Sequence, residues 1–282
     1  MGVEINKIDD WKPTRFEFFA RFVPNSSTGV AEIKTDACEG FLKPIGNNEG
    51  LHALVREYVG TSVAKFLGLR TFSFNIMNVN KYDNIPLGHG CVALEGPAFI
   101  SRRELGRSWS GQKDDLKLLV NTESITSLIV FDTLALNWDR YPPPEINRRP
   151  NYNNVFFSEK GAPPSRYFLT AIDHTHCLNA EKELNVKIKN ISNVKDNRIY
   201  GAFPAFHPYI SSRELDIVIG KLKKINSTVI TEIINHVPKE WDISDTIRDA
   251  IGDFFIERSH FLVDNIYKMI LPYAPKQGEF NF

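Results

Sequence analysis

Two aspartates and one asparagine have the residue types and the spacing of a loop that handles phosphate. Asp139 follows an apolar segment within the run Leu-Asn-Trp-Asp-Arg, and Asp173 ends the apolar run 168–172. Asn154 lies between them and directly precedes a strand-like apolar run. In phosphoryl transfer one carboxylate faces the attacking hydroxyl, while an amide and a second carboxylate hold magnesium on the nucleotide phosphates. The layout therefore predicts a phosphotransferase that uses ATP and magnesium.

Each of these residues has a candidate role and a simpler alternative. Asp139 is the candidate catalytic base or hydroxyl-orienting group, and Arg140 beside it holds either the loop or a phosphate. Asn154 and Asp173 are the candidate magnesium ligands. An aspartate after an apolar helix often only caps a backbone group, and an asparagine often only stabilises a turn. The functional interpretation is stronger for Asp173, because a buried carboxylate is costly unless it is paired or functional.

A lysine and a glutamate earlier in the chain supply the phosphate-binding side. Lys43 lies at the end of a short apolar strand, and Glu57 follows fourteen positions later inside a predicted helix. In kinases a lysine on a strand contacts the nucleotide phosphates, and a glutamate on a helix holds that lysine in place. The turn 25–29 would cover those phosphates with Ser26 and Ser27, although it has no GxGxxG pattern. No GxxxxGK[ST] pattern occurs either, which argues against a P-loop enzyme.

The elements that must position these residues fall into two unlike parts. Residues 1–96 are predicted to form a small β-rich lobe, and residues 97–282 a mainly helical lobe, with Gly96-Pro97 as a candidate hinge. The periodicity of apolar residues predicts strands at 16–23, 30–34, 40–44, 70–78 and 90–94, and a helix over 51–67 that Gly68 caps. Further helices are predicted over 122–136, 212–225, 227–236 and 244–270. The predicted class is α+β with a bilobal fold.

Composition narrows the class of function. The chain has 282 residues, and its 34 basic side chains balance 34 acidic ones. It therefore has no net positive charge that would favour direct nucleic-acid binding. No apolar run approaches the roughly 18–20 residues that span a bilayer. The three cysteines are widely spaced and form no CxxC pair, which fits a reducing cytoplasm. We therefore expect a cytoplasmic enzyme without a membrane span.

The motifs together resemble the HipA-like kinase family, and in particular its short members. The resemblance rests on Gly40-Phe41-Leu42-Lys43-Pro44, Arg56-Glu57, Val130-Phe131-Asp132, Asn137-Trp138-Asp139-Arg140, Asn154-Val155 and Ile172-Asp173-His174. It implies a protein-kinase-like bilobal fold that binds ATP and magnesium and phosphorylates serine or threonine of a protein acceptor. It also implies that Lys43 contacts the phosphates, that Glu57 pairs with it, that Asp139 is catalytic, and that Asn154 and Asp173 bind magnesium.

The resemblance has further implications and two departures. It implies self-phosphorylation in the 25–29 turn, where Ser26, Ser27 and Thr28 are the matching acceptors. Such kinases often have an antitoxin-like partner, but no residue of this chain identifies one. The separation from Asp139 to Asn154 is longer than the family pattern and includes four prolines. In addition, Tyr141 replaces the histidine that commonly follows Asp-Arg, and His174 replaces a small residue.

Other functions remain open at this stage. A phosphoinositide or small-molecule kinase has a similar Asp-Arg, Asn, Ile-Asp layout, although no polybasic run supports a lipid acceptor. A pseudokinase that binds nucleotide or a partner without transfer is a further alternative. A zinc site at His174 and His176 is disfavoured, because no third ligand is suitably spaced.

Overall fold

The N-terminal part is built on one antiparallel sheet. The structure is a computed structural model, and it describes residues 11–23, 26, 28–178 and 183–275. Five strands pair in the order β1-β2-β3-β5-β4. They are β1 (Phe16–Phe22), β2 (Ala31–Thr35), β3 (Glu39–Lys43), β4 (Phe74–Val79) and β5 (Gly96–Arg102).

The two faces of this sheet bury different cores. Because side chains alternate along a strand, Leu42 and Ile100 face a small core that the segment 80–93 closes with Ile85 and Leu87. Lys43 and its register partner Phe99 face the opposite side, where helix α1 (Leu51–Phe66) packs. The alternation thus directs the predicted phosphate-binding lysine toward the helix that carries the predicted glutamate.

The predicted elements agree with the observed ones except near residue 96. Gly68 follows α1 with φ +79°, and its N–H donates to the Lys65 carbonyl at 2.9 Å, as expected for a glycine that ends a helix. The strand predicted at 90–94 is absent, and only an isolated bridge joins Pro86 to Val92 there. Gly96 and Pro97 begin β5, which pairs with β4, so the first sheet extends past the predicted lobe boundary at residue 96.

A second, smaller sheet connects the first part to the helices. It contains β6 (Gly106–Ser108), β7 (Val155–Ser158) and β8 (Phe168–Ala171), all antiparallel. The register pairs Val155 with Ala171, so the residue before β7 and the residues after β8 lie at the same end of the sheet. This end carries Asn154 and Asp173.

The C-terminal part is helical. Its helices are α2 (Ser124–Ala135), α3 (Ile191–Val194), α4 (Ser212–Leu222), α5 (Ser227–Asn235) and α6 (Asp245–Ile270). All residues of α2 after Ser124 are buried, because α1, α4 and α6 surround it. Helix α6 begins after Ser244, whose hydroxyl accepts from the Ile247 amide, as its capping sequence predicts. Within the described ranges, no helix is both long and apolar enough to span a membrane.

Candidate active site

Lys43, Glu57 and Asp173 form a charged triad between the first sheet and α1. The Nζ atom of Lys43 lies 2.9 Å from Oε2 of Glu57 and 2.9 Å from Oδ1 of Asp173. Lys43 and Glu57 are buried, whereas 35% of the Asp173 side chain is exposed. The structure thus joins three residues that were predicted from separate parts of the sequence.

Burial and charge act against each other in this triad. Burial would lower the pKa of Lys43, but the charges of Asp173 and Glu57 outweigh it and raise that pKa above its usual value. Burial would raise the pKa of Asp173, but the ammonium group of Lys43 holds it well below the usual range. Burial also raises the pKa of Glu57, against the effect of Lys43. Lys43 is therefore cationic and Asp173 anionic at neutral pH.

The loop after β8 is attached to α1 by several contacts. Asp173 has φ +57°, a turn conformation that aspartate tolerates better than most residues. The amide of His174 donates to Glu57 Oε2 at 2.8 Å. The Thr61 hydroxyl donates its hydrogen to the Glu57 carbonyl. In the 3.0 Å hydrogen bond between Thr61 Oγ1 and His174 Nδ1, the donor is therefore Nδ1. These contacts fix the direction of Asp173 relative to Lys43.

Asp139 lies in the loop between α2 and β7, and it contacts the end of that loop. Its Oδ2 atom accepts hydrogen bonds from Asn154 Nδ2 at 2.6 Å and from Asn151 Nδ2 at 3.1 Å. Both bonds use the same oxygen, and no described residue donates to Oδ1. Asp139 is partly exposed, so Oδ1 is the atom that can receive a proton from an acceptor hydroxyl.

Arg140 connects the two halves of the site through main-chain carbonyls. Its Nη1 atom donates to the carbonyl of Asn154 and, at 3.3 Å, to the carbonyl of Ile172. Its Nε atom donates to Asp132 Oδ2 at 2.8 Å, and both side chains are fully buried. Because the guanidinium is enclosed, this geometry makes Arg140 a positioning residue that holds the loop and does not reach a phosphate.

The residues present fit a magnesium ion. The side-chain nitrogen of Asn154 donates to Asp139, which leaves Oδ1 of Asn154 available as a ligand. No described residue donates to Oδ2 of Asp173. Magnesium prefers oxygen ligands and often takes only one or two from the protein, with waters and substrate phosphates completing the shell. The donor set of one amide and one carboxylate oxygen is suited to magnesium bound together with a nucleotide.

The predicted phosphate-covering turn is described only in part. Ser27 lies outside the described residues. Ser26 Oγ accepts from the Val30 amide at 3.1 Å and shares a 3.1 Å hydrogen bond with Thr28, which is 3% exposed. Gly29 lies against Gly88, so the turn packs on the segment that closes the small core. Both hydroxyls therefore have hydrogen-bond partners within this part of the chain.

Sequence analysis assigned no role to Asp132, Asn151 or Thr61. Asp132 had a signal, because it is a carboxylate within the apolar run Ile129-Val130-Phe131, and a buried carboxylate needs partners. Asn151 and Thr61 had none, since an asparagine in a loop and a threonine in a helix are common. Their roles depend on contacts between residues that are distant in sequence.

The fold and site together define the class of the protein as one with a bilobal kinase-like fold, and a solved structure confirms this. The chain is similar to the Helicobacter pylori proinflammatory kinase CtkA, with a TM-score of 0.55 and 12% sequence identity over 93% of this chain and 98% of that chain. At this identity the likeness shows the fold alone. No family model matches the chain and no curated protein matches it, so the HipA-like resemblance stays a prediction from the motifs.

Proposed function

We propose that the protein is an ATP- and magnesium-dependent kinase that phosphorylates a serine or threonine hydroxyl of a protein. The observation that carries the proposal is the joining of both halves of the site by Arg140, which donates to the main chain at Asn154 and next to Asp173. The kinase-like fold supports the proposal. Positioning and charge neutralisation are the main requirements of phosphoryl transfer.

The side chains divide the reaction between them. Lys43 holds the phosphates, and Glu57 fixes the direction of its ammonium group. Asn154 and Asp173 hold magnesium, which when bound neutralises charge on the phosphates. The acceptor oxygen forms a bond to the γ-phosphorus while the bond to the β–γ bridging oxygen breaks, and ADP leaves with that electron pair. Oδ1 of Asp139 receives the hydroxyl proton.

The test is phosphate transfer from labelled ATP by wild type and Asp139→Asn. We expect the variant to bind Mg-nucleotide normally but to transfer about 10²-fold more slowly or worse, because an amide does not accept the proton. Asp173→Ala should lose magnesium-dependent nucleotide binding and keep its fold. Asp253→Ala is a matched control, since Asp253 lies on α6 and forms an exposed ion pair with Lys189.

Two results would contradict these roles. Equal labelling by wild type and Asp139→Asn would exclude Asp139 as the base or orienting group. Wild-type affinity of Asp173→Ala for Mg-ATP would exclude the metal assignment. Nucleotide binding by wild type without transfer to any acceptor would instead make the protein a pseudokinase, and transfer only to a small molecule or lipid would replace the protein acceptor.

Self-phosphorylation in the 25–29 turn is part of the same proposal. It requires the turn to open, because the hydroxyls of Ser26 and Thr28 bond to each other and Thr28 is buried. Mass spectrometry of the labelled protein would locate the phosphate. Phosphate on wild type at residues 26–28 and its absence on Asp139→Asn support this proposal; equal modification of both proteins refutes it.

A further inference from the structure

The segment 141–150 is held directly beside the candidate catalytic base. It separates Asp139 from Asn154 and contains four prolines. The Asn151 amide donates to the Arg140 carbonyl at 3.0 Å, and the Asn151 side chain donates to Asp139 at 3.1 Å. Both ends of the segment are therefore tied at Asp139.

Arg148 is the group that this segment presents. Its guanidinium carbon lies 4.0 Å from the centre of the Trp138 ring, and the Ile146 carbonyl accepts from its amide at 2.7 Å. Trp138 is the residue before Asp139 and is 7% exposed, so it is a fixed platform. Stacking orders a guanidinium while leaving the N–H donors at its edge available for a carboxylate.

The charge of Arg148 is not neutralised within the described residues. Other arginines, such as Arg103 and Arg107, form ion pairs at 2.8–3.0 Å with carboxylates. Arg148 is exposed, and no described carboxylate lies within ion-pair distance of it. Arg149 beside it is also exposed, and Glu145 is the one acidic residue of the segment. An ordered arginine without an ion pair, stacked on the residue before the proposed catalytic aspartate, suits an anionic group brought by the substrate.

We propose that Arg148 binds an acidic side chain that flanks the acceptor hydroxyl, so that the protein prefers acidic peptide segments as acceptors. This inference rests on the proposed kinase function. A peptide is favoured over a membrane or a nucleic acid, because those polyanionic surfaces are recognised by larger basic clusters, whereas this chain has zero net charge and presents two arginines here.

Peptide binding tests the inference without requiring transfer. Two fluorescent probe peptides carry one central serine, flanked by glutamates in the first and by glutamines in the second. We expect wild type to bind the glutamate peptide about tenfold more tightly, as for one charge-assisted contact. Arg148→Ala should bind both peptides equally. Arg148→Glu should bind the glutamine peptide more tightly than the glutamate peptide, and it should favour a third peptide in which lysines flank the serine. Arg213→Ala on α4 is the control, since Arg213 is an exposed arginine away from the loop.

Several results would overturn the inference. These are equal binding of the two peptides by wild type, a retained preference in Arg148→Ala, an equal loss in Arg213→Ala, or tighter binding of anionic vesicles or single-stranded DNA than of the glutamate peptide. Transfer from labelled ATP to the same peptides is scored separately. Selective binding without transfer refutes the proposed function alone, while transfer without charge preference refutes the acidic-acceptor inference alone.

Discussion

The buried ion pair between Asp132 and Arg140 should contribute strongly to the stability of the loop that carries Asp139. Both side chains are 0% exposed and lie 2.8 Å apart. Asp132→Leu removes the carboxylate and leaves the guanidinium buried without its charge partner. Removing one partner of such a pair costs about 3–5 kcal/mol. For a chain of this size we expect the melting temperature to fall by roughly 10 °C.

A double substitution separates stability from positioning. Asp132→Leu/Arg140→Met removes both charges, and replacing a whole buried pair by apolar side chains is often neutral or stabilising. Burial raises the pKa of Asp132 to about 6, because the cost of removing the carboxylate from water outweighs the attraction of Arg140. The double variant should therefore recover most of the lost stability. It should not recover phosphate transfer, because the bonds from Arg140 to the Asn154 and Ile172 carbonyls are missing.

The assay is urea and thermal denaturation of wild type, both single variants and the double variant, together with transfer rates. Asp253→Ala is the control, because its exposed ion pair with Lys189 should contribute less than about 1 kcal/mol. Additive losses in the double variant, or a single variant within about 1 kcal/mol of wild type, would refute the argument about charge burial. Recovery of both stability and transfer would refute the positioning role of Arg140.

Two other predictions concern the loop that carries Asp173. Gly60→Ala places a Cβ 2.7 Å from that of His174, so it should destabilise the protein by about 1–3 kcal/mol and weaken Mg-nucleotide binding, whereas Gly220→Ala, which meets no atom within 4 Å, should be neutral or stabilising in thermal denaturation. The lowered pKa of Asp173 means that its stabilising contribution is complete above about pH 4 and is lost as pH falls through the lower folded-state pKa. The raised pKa of Lys43 means that its contribution is complete below about pH 10.5 and is lost as pH rises further. Denaturation across pH should show a smaller acid dependence in Asp173→Asn than in wild type; equal curves would contradict the pairing.

Local periodicity was enough to predict most helices and strands. The helix over 51–67 and the helix over 244–270 agree with the structure within a residue or two, because long apolar patterns and capping residues are local signals. The prediction of a strand at 90–94 was wrong, because strand formation depends on pairing with distant segments, which local patterns do not show. Gly96-Pro97 is typical of a turn, yet Pro97 lies in β5 opposite Asn78, and only the paired sheet determines this.

The joining of Lys43, Glu57 and Asp173 was predictable in kind but not in detail. A lysine on a strand and a glutamate on a helix suggested an ion pair, and in the structure Lys43 Nζ lies 2.9 Å from Glu57 Oε2. The contacts that fix the loop around Asp173 are those of His174 with Thr61 and Glu57, and they depend on how α1 packs against the loop after β8. Such contacts join residues more than one hundred positions apart and leave no periodic signal.

The length of the segment between Asp139 and Asn154 is compatible with a working site because its ends are tied together. The free energy of closing a loop grows only logarithmically with length, by about 0.6 kcal/mol for each doubling, so added residues disturb a site little when their ends stay fixed. Here Asn151 bonds to both Arg140 and Asp139, and Asn154 bonds to the same oxygen of Asp139. The segment therefore extends from the site without displacing Asn154. The proposed acceptor-binding role of the segment is therefore compatible with the proposed role of Asn154 as a metal ligand.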